Sequence, residues 1–186
     1  LRAPDGIVDS VYKFEGYKVY QLFNRSVSYA NLDDPSVSRL VANFDVANGV
    51  TTIYNWEQVV NPFSDEQDDA VFVPTLRAEG NDEGIRRTLS VTNDLFATGN
   101  ETRLINHQEY YYVAVAYAYN NYQQFDATPP DGEGRGQQFP YLQGRRNVGD
   151  SQNDDLPYIG TPRSILDFNL NSSYGDGVEI EMNSGT

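Results

Sequence analysis

Apolar and polar residues alternate along this chain in short runs of period two, separated by turn-forming residues. The first run is "VYKFEGYKVYQLF", Val11 to Phe23. There Tyr17, Val19 and Gln21 alternate with Lys18, Tyr20 and Leu22, which predicts a strand with two unequal faces. In "ANLDDPSVSRL", Asp34 ahead of Pro35 suits the cap of one short helical turn. "RLVANFDVANGVTTIYNW" reads as a hairpin with arms Leu40 to Val46 and Val50 to Trp56. Its Asn48-Gly49 pair tolerates the positive φ angles of a tight primed turn. "AVFVPTL" is a strand that Pro74 confines to an edge or bulge, because proline has no N–H for the ladder. "RAEGNDEG" is a turn, "IRRTLSVT" a returning strand, and "NDLFATGNETRLINHQ" a long connection.

The connection leads into "HQEYYYVAVAYAY", His107 to Tyr119, which carries five tyrosines and no charge after Glu109. On a strand, Tyr110, Tyr112, Ala114, Ala116 and Ala118 share one side, and Tyr111, Val113, Val115, Tyr117 and Tyr119 the other. Both sides are apolar, so the strand is expected to be covered twice: by a sandwich core, and by a long loop or a neighbouring domain. The tyrosines are therefore read as structural. After Tyr119 the composition turns to Asn, Gln, Gly, Pro and Asp, and a long irregular excursion is expected. "TPRSILDFNL" and "GVEIEM" are the last candidate strands. No amphipathic helix longer than about two turns is visible. The pattern is all-β with long loops.

Composition narrows the habitat. Fourteen Tyr and nine Phe against one Met favour the half-buried pleat of a sheet. A net charge of −14 makes nucleic acid and anionic membranes poor partners and cation binding plausible. Without cysteine, neither a disulfide framework nor a thiolate zinc site can form. No apolar run approaches the roughly 18 residues of a membrane-spanning helix. The chain begins "LRAPDG" and ends soon after a strand-like run, so a processed or excised segment of something longer is expected, and the acidic charge suits a soluble, exported protein.

Two stretches resemble a known family. "LINHQEYYYVAVAYAY" looks like the corner and late strand of a fibronectin type III domain, in which a Leu precedes a Tyr by six positions, here Leu104 and Tyr110. "FEGYKVYQL" resembles that fold's central strand, with Tyr17 and Val19 two apart. The combination is similar to fibronectin type III-like modules in large secreted and surface proteins of Bacteroidota, many exported by the type IX secretion system. His107 stands where those modules usually carry Gly. The resemblance covers roughly residues 11 to 119. It implies an immunoglobulin/fibronectin type III-like β-sandwich over residues 1–119 whose N-terminal strands are incomplete. A polar loop over 120–162 and terminal strands over 163–186 would follow, completing the sandwich or starting the next module. It also implies a secreted or cell-surface location. "DSV" resembles the sequon at which Bacteroidota O-glycosylate exported proteins, with Ser10 as acceptor. Asn24, Asn100 and Asn171 head N-x-S/T triplets, relevant only in a host with N-glycosylation.

Candidate chemistry is sparse. His107 is the only histidine, no nucleophile elbow, zincin motif or phosphate loop occurs, and "DGEGRG" lies in an acidic loop rather than between strand and helix. No catalytic residue is assigned. Twenty-seven carboxylates make a pair at glycosidase spacing uninformative without a cleft. A structural Ca²⁺ is a candidate at "GDSQNDDL", through Asp150, Asn153, Asp154 and Asp155, because hard cations take several oxygen ligands from flexible loops. "SDEQDD", with Asp65, Glu66, Asp68 and Asp69, is a second candidate.

Two functions fit. The first is a non-catalytic structural or interaction module that spaces, or assembles with, neighbouring modules or chains. The second is a carbohydrate-binding module, with Trp56, Tyr119, Tyr122 and Phe125 as the aromatic platform.

Overall fold

A computed structural model of the chain describes residues 11–63, 70–128, 134–147 and 157–163. They form an all-β structure of seven strands: β1 (Lys13–Leu22), β2 (Ser38–Asp45), β3 (Thr52–Val60), β4 (Ala70–Glu79), β5 (Tyr110–Tyr119), β6 (Tyr141–Asn147) and β7 (Tyr158–Gly160). One antiparallel sheet has the order β2-β1-β5-β6, and β7 pairs with the early half of β5. Among the described residues the other contains β3 and β4 alone. Among the described residues no helix is long and apolar enough to cross a membrane.

The two sheets face each other across Ile53, Ala78, Tyr117 and Tyr141, giving a β-sandwich. A second cluster, Tyr20, Leu22, Leu32, Val113 and Val115, is closed by Val27 and Tyr29 from the β1–β2 connection rather than by a strand. The core face of β1 is thus Lys18, Tyr20 and Leu22. Lys18 is only 8% exposed. Its ammonium donates to the Arg77 carbonyl and lies 4.8 Å from the Tyr141 ring centroid and 5.7 Å from that of Tyr117. Burial lowers its pKa to about 8, against which the charge of Asp33 works.

The tyrosine strand is covered on both sides, as its apolar faces require. Val113, Val115 and Tyr117 fill the core, while Ala114 and Ala116 share the opposite face with Val19 and Tyr17 of β1. The segment read as a strand, Ile85 to Thr92, makes no ladder. It begins an irregular connection that lies over this second face, with the Tyr17 hydroxyl donating to the Arg86 carbonyl. Gln21, 2% exposed, donates from Nε2 to Asp94 Oδ1 (2.6 Å) and accepts the Leu95 N–H (2.8 Å). Once side chains hold the connection, period-two alternation no longer implies a strand partner.

The expected hairpin at Asn48-Gly49 is instead a crossover. β2 pairs with β1 and β3 with β4, so the chain changes sheets at this turn. Gly49 takes φ +87, whereas Asn48 is not left-handed. Carboxylates replace the ladder. Asp82 Oδ1 accepts the N–H groups of Asn48 (2.7 Å) and Gly49 (2.9 Å), and Asn48 Nδ2 donates to both oxygens of buried Glu15 (2.9 Å each). Asp45, also buried, accepts the Asp82 N–H. Burial pushes the Glu15 carboxyl up, opposed by the Asn48 hydrogen bond and assisted by the charges of Asp45 and Asp82.

Other expectations fare variously. Asp34 caps a turn, accepting from the N–H (2.9 Å) and hydroxyl (2.6 Å) of Ser36, and a three-residue 3-10 helix, Tyr29–Asn31, precedes it. Pro74 lies on β4, whose one strand partner among the described residues is β3. His107 adopts φ +66, the left-handed turn conformation that glycine would take. The segment read as one polar loop carries β6 and β7. Its Gln, Gly and Arg residues hide β6 from a hydrophobic pattern, and the ladder comes from β5. The strands expected beyond Arg163 lie outside the described residues.

Candidate functional site

β3 alternates its side chains, so Tyr54 and Trp56 fall on one face and Ile53 and Asn55 on the other. Ile53 is buried in the core. Asn55, also buried, bonds the backbone of Tyr141 through both ends of its amide. This fixes the strand so that Tyr54 and Trp56 look away from the core.

The β5–β6 connection then folds back beside them. Backbone bonds tie Asn120 to Pro140 (2.9 Å) and Gln137 to Gln123 (2.9 Å), and Asp126 pairs with Arg135 as an isolated bridge. The Trp56 N–H donates to the Gln138 carbonyl (2.9 Å), and Gln138 Nε2 donates to the Trp56 carbonyl (2.9 Å). Loop and strand edge are thus held together by reciprocal bonds.

Between them lies a groove of about 460 Å³, within the usual range for small-ligand sites. Trp56, Tyr119 and Phe125 line it together with Tyr54, Pro74 and Pro140. Phe125 is only 7% exposed and acts as a support. Its ring centroid is 5.4 Å from that of Trp56 and 5.0 Å from that of Phe72, the latter edge-on. Gly134 is required here, since a β-carbon would come within 2.5 Å of Phe125 and 2.9 Å of Phe72. "DGEGRG" therefore serves packing at Gly134.

Three of the four expected aromatic residues converge on this groove, and Tyr122 is not among its lining residues. Tyr54, 43% exposed, was missed. The available signal was its position two residues before Trp56, on the same face of the strand. Thr52, Asn121, Gln124 and Gln137 supply polar groups, and no charged side chain lines the groove among the described residues.

Compared with known proteins, the chain matches no family model, no curated protein and no solved structure.

Asp150, Asn153, Asp154 and Asp155, Asp65 to Asp69, Ser10 and Asn171 lie outside the described residues. Among the described residues no group of three or more His, Asp or Glu side chains is arranged to hold a metal ion. The carboxylates of Glu15, Asp45 and Asp82 accept from N–H donors instead. His107 sits in its turn, its N–H donating to the Pro162 carbonyl (2.8 Å).

Proposed function

We propose that this chain is a non-catalytic interaction module of a secreted or surface-displayed protein, built on an immunoglobulin/fibronectin type III-like sandwich. Two features support that architecture. β1 and β5 form the centre of a β2-β1-β5-β6 sheet, as the C and F strands do in such sandwiches. The Tyr110 hydroxyl accepts the Ile105 N–H at 2.8 Å, in the manner of a tyrosine corner. The observation that carries an assembly role is the far end of the β3–β4 hairpin. Val59, Val60, Val71, Val73 and Phe63 are all exposed there, Phe63 at 96%. Apolar residues clustered at one end of a sheet favour contact with a neighbouring module or chain. Sedimentation at rising concentration, with and without flanking sequence from the parent protein, tests this. Protection of Phe63 from labelling when flanking sequence is present supports it, and unchanged labelling in every setting counts against it.

A second reading, carbohydrate binding, is favoured by one specific observation. Trp56, Tyr119 and Phe125, far apart in sequence, meet in one groove with amide side chains at its rim. Trp56 is the single tryptophan, so its emission reports on this site alone. A glycan array with fluorescence follow-up tests the reading, and silence on both rejects it.

A further inference from the structure

The geometry points to an uncharged glycan as the ligand of the Trp56 groove, with Tyr54 as its second stacking platform. This rests on the carbohydrate-binding reading and specifies which class of sugar the groove accepts.

The first observation is electrostatic. More than a fifth of the residues in this chain are charged, yet none of the described residues lining the groove is. A ligand bearing carboxylate or sulfate groups would enter the field of a chain carrying −14 and meet no cation among the described lining residues. A cationic ligand would find no carboxylate among those residues. A neutral ligand incurs neither cost.

The second observation is the state of the polar groups. The hydroxyls of Tyr54 and Tyr119, the Trp56 indole N–H and the side-chain amides of Asn121 and Gln124 form no hydrogen bond among the described residues. Gln137 differs, because its Nε2 donates to the Tyr12 hydroxyl (2.7 Å) and the Phe139 carbonyl (2.8 Å). Such polar ends normally find partners when an aromatic face is covered. Here donors and acceptors are interspersed, and sugar hydroxyls both donate and accept. A proline-rich peptide, the other ligand that favours aromatic grooves, offers chiefly carbonyl acceptors. It would leave the amide oxygens of Asn121 and Gln124 unmatched.

The third observation is the platform itself. Tyr54 and Trp56 project from the same face of β3, roughly 7 Å apart along the strand. Trp56 is braced from behind by Phe125, and Tyr54 is the most open aromatic of the groove. Together they present two ring surfaces that a chain of sugars can lie along.

The test is titration of Trp56 emission with neutral glucose and mannose oligosaccharides, an oligo-uronic acid and a polyproline peptide, at low and high salt. The inference expects a saturable change with a neutral oligosaccharide that salt leaves unchanged. Tyr54→Ala should weaken it by about tenfold, and Tyr54→Phe by much less. Tyr54 is exposed, so both variants should melt like the parent. Binding of the uronic acid alone, lost in salt, overturns the neutral class and leaves carbohydrate binding intact. Binding of polyproline alone overturns both in favour of a peptide groove. No response to any ligand, together with a silent array, rejects the carbohydrate reading itself. An unchanged affinity in Tyr54→Ala overturns the platform assignment.

Discussion

The side-chain amide of Asn55 bonds both backbone groups of Tyr141, accepting its N–H at 2.9 Å and donating to its carbonyl at 3.2 Å. Asn55 belongs to β3 and Tyr141 opens β6, so one side chain joins the two sheets where no ladder does. The same contact sets the position of Trp56, the next residue, against Gln138. Stability and site geometry therefore share this residue. Asn55→Ala leaves two buried backbone groups unpaired and should cost about 2–3 kcal/mol. Chemical denaturation measures the loss. Ligand-free Trp56 emission should shift in the same variant even below the unfolding transition.

Lys18 should move the stability maximum of the protein to alkaline pH. Its folded pKa of about 8 lies below the ordinary 10.5, so between those values the unfolded chain binds more protons and stability rises with pH. Tyr20, Tyr112 and Tyr117 behave in the opposite sense. Burial pushes them up to about 12 from 10.0, so the folded state holds protons that the unfolded state has lost, and stability falls above pH 10. Melting temperature should climb from pH 8, peak near pH 10 and decline beyond it. Lys18→Met should flatten the climb and leave the decline. A profile that is flat in the parent between pH 8 and 10 would refute the role of Lys18.

Gln21 is the latch of the connection over the outer face of β1 and β5. Gln21→Leu removes the bonds that this buried side chain makes to the partly buried Asp94 and Leu95. The expected cost is about 2–3 kcal/mol. The variant should also be cut faster than the parent by a protease within residues 85–104. N-terminal sequencing of the fragments locates the cut.

Gly134 tests the floor of the groove. In Gly134→Ala the new methyl overlaps Phe125 and Phe72. Displacing two packed rings should cost about 1–3 kcal/mol. Trp56 emission should change because Phe125 braces its ring. Under the carbohydrate-binding proposal, glycan affinity should fall with it, whereas Gly99→Ala, a positive-φ site with open space, should strain only its own turn.

Much of the fold was legible in the residue pattern, and for physical reasons. Period-two alternation marks a strand wherever a ladder partner exists, so β1, β3, β4 and β5 were readable from their apolar positions. The doubly apolar Tyr110–Tyr119 run announced that it would be covered on both sides. Local chemistry was legible too: Asp34 caps its turn, Pro74 keeps to a strand with one partner, and His107 turns where glycine would. Trp56, Tyr119 and Phe125 were recognisable as a set by chemistry alone, although not Tyr54 beside them.

Pairing was not legible, because it depends on which edge is free when the sheets meet. Asn48-Gly49 is compatible with a hairpin, yet the carboxylates of Glu15 and Asp82, distant in sequence, bind its polar groups and send β3 to the other sheet. Ile85–Thr92 alternates like a strand and lacks a ladder partner, while the polar residues of β6 form a strand because β5 offers an edge. Lys18 occupies the core because the Arg77 carbonyl and two tyrosine rings receive its ammonium there. Local backbone preference and the period of apolar residues were determined by the sequence itself. The choice of partners, the face of β1 that turns inward and the closing of the groove were decided by the tertiary structure, where long-range hydrogen bonds outweigh local preference.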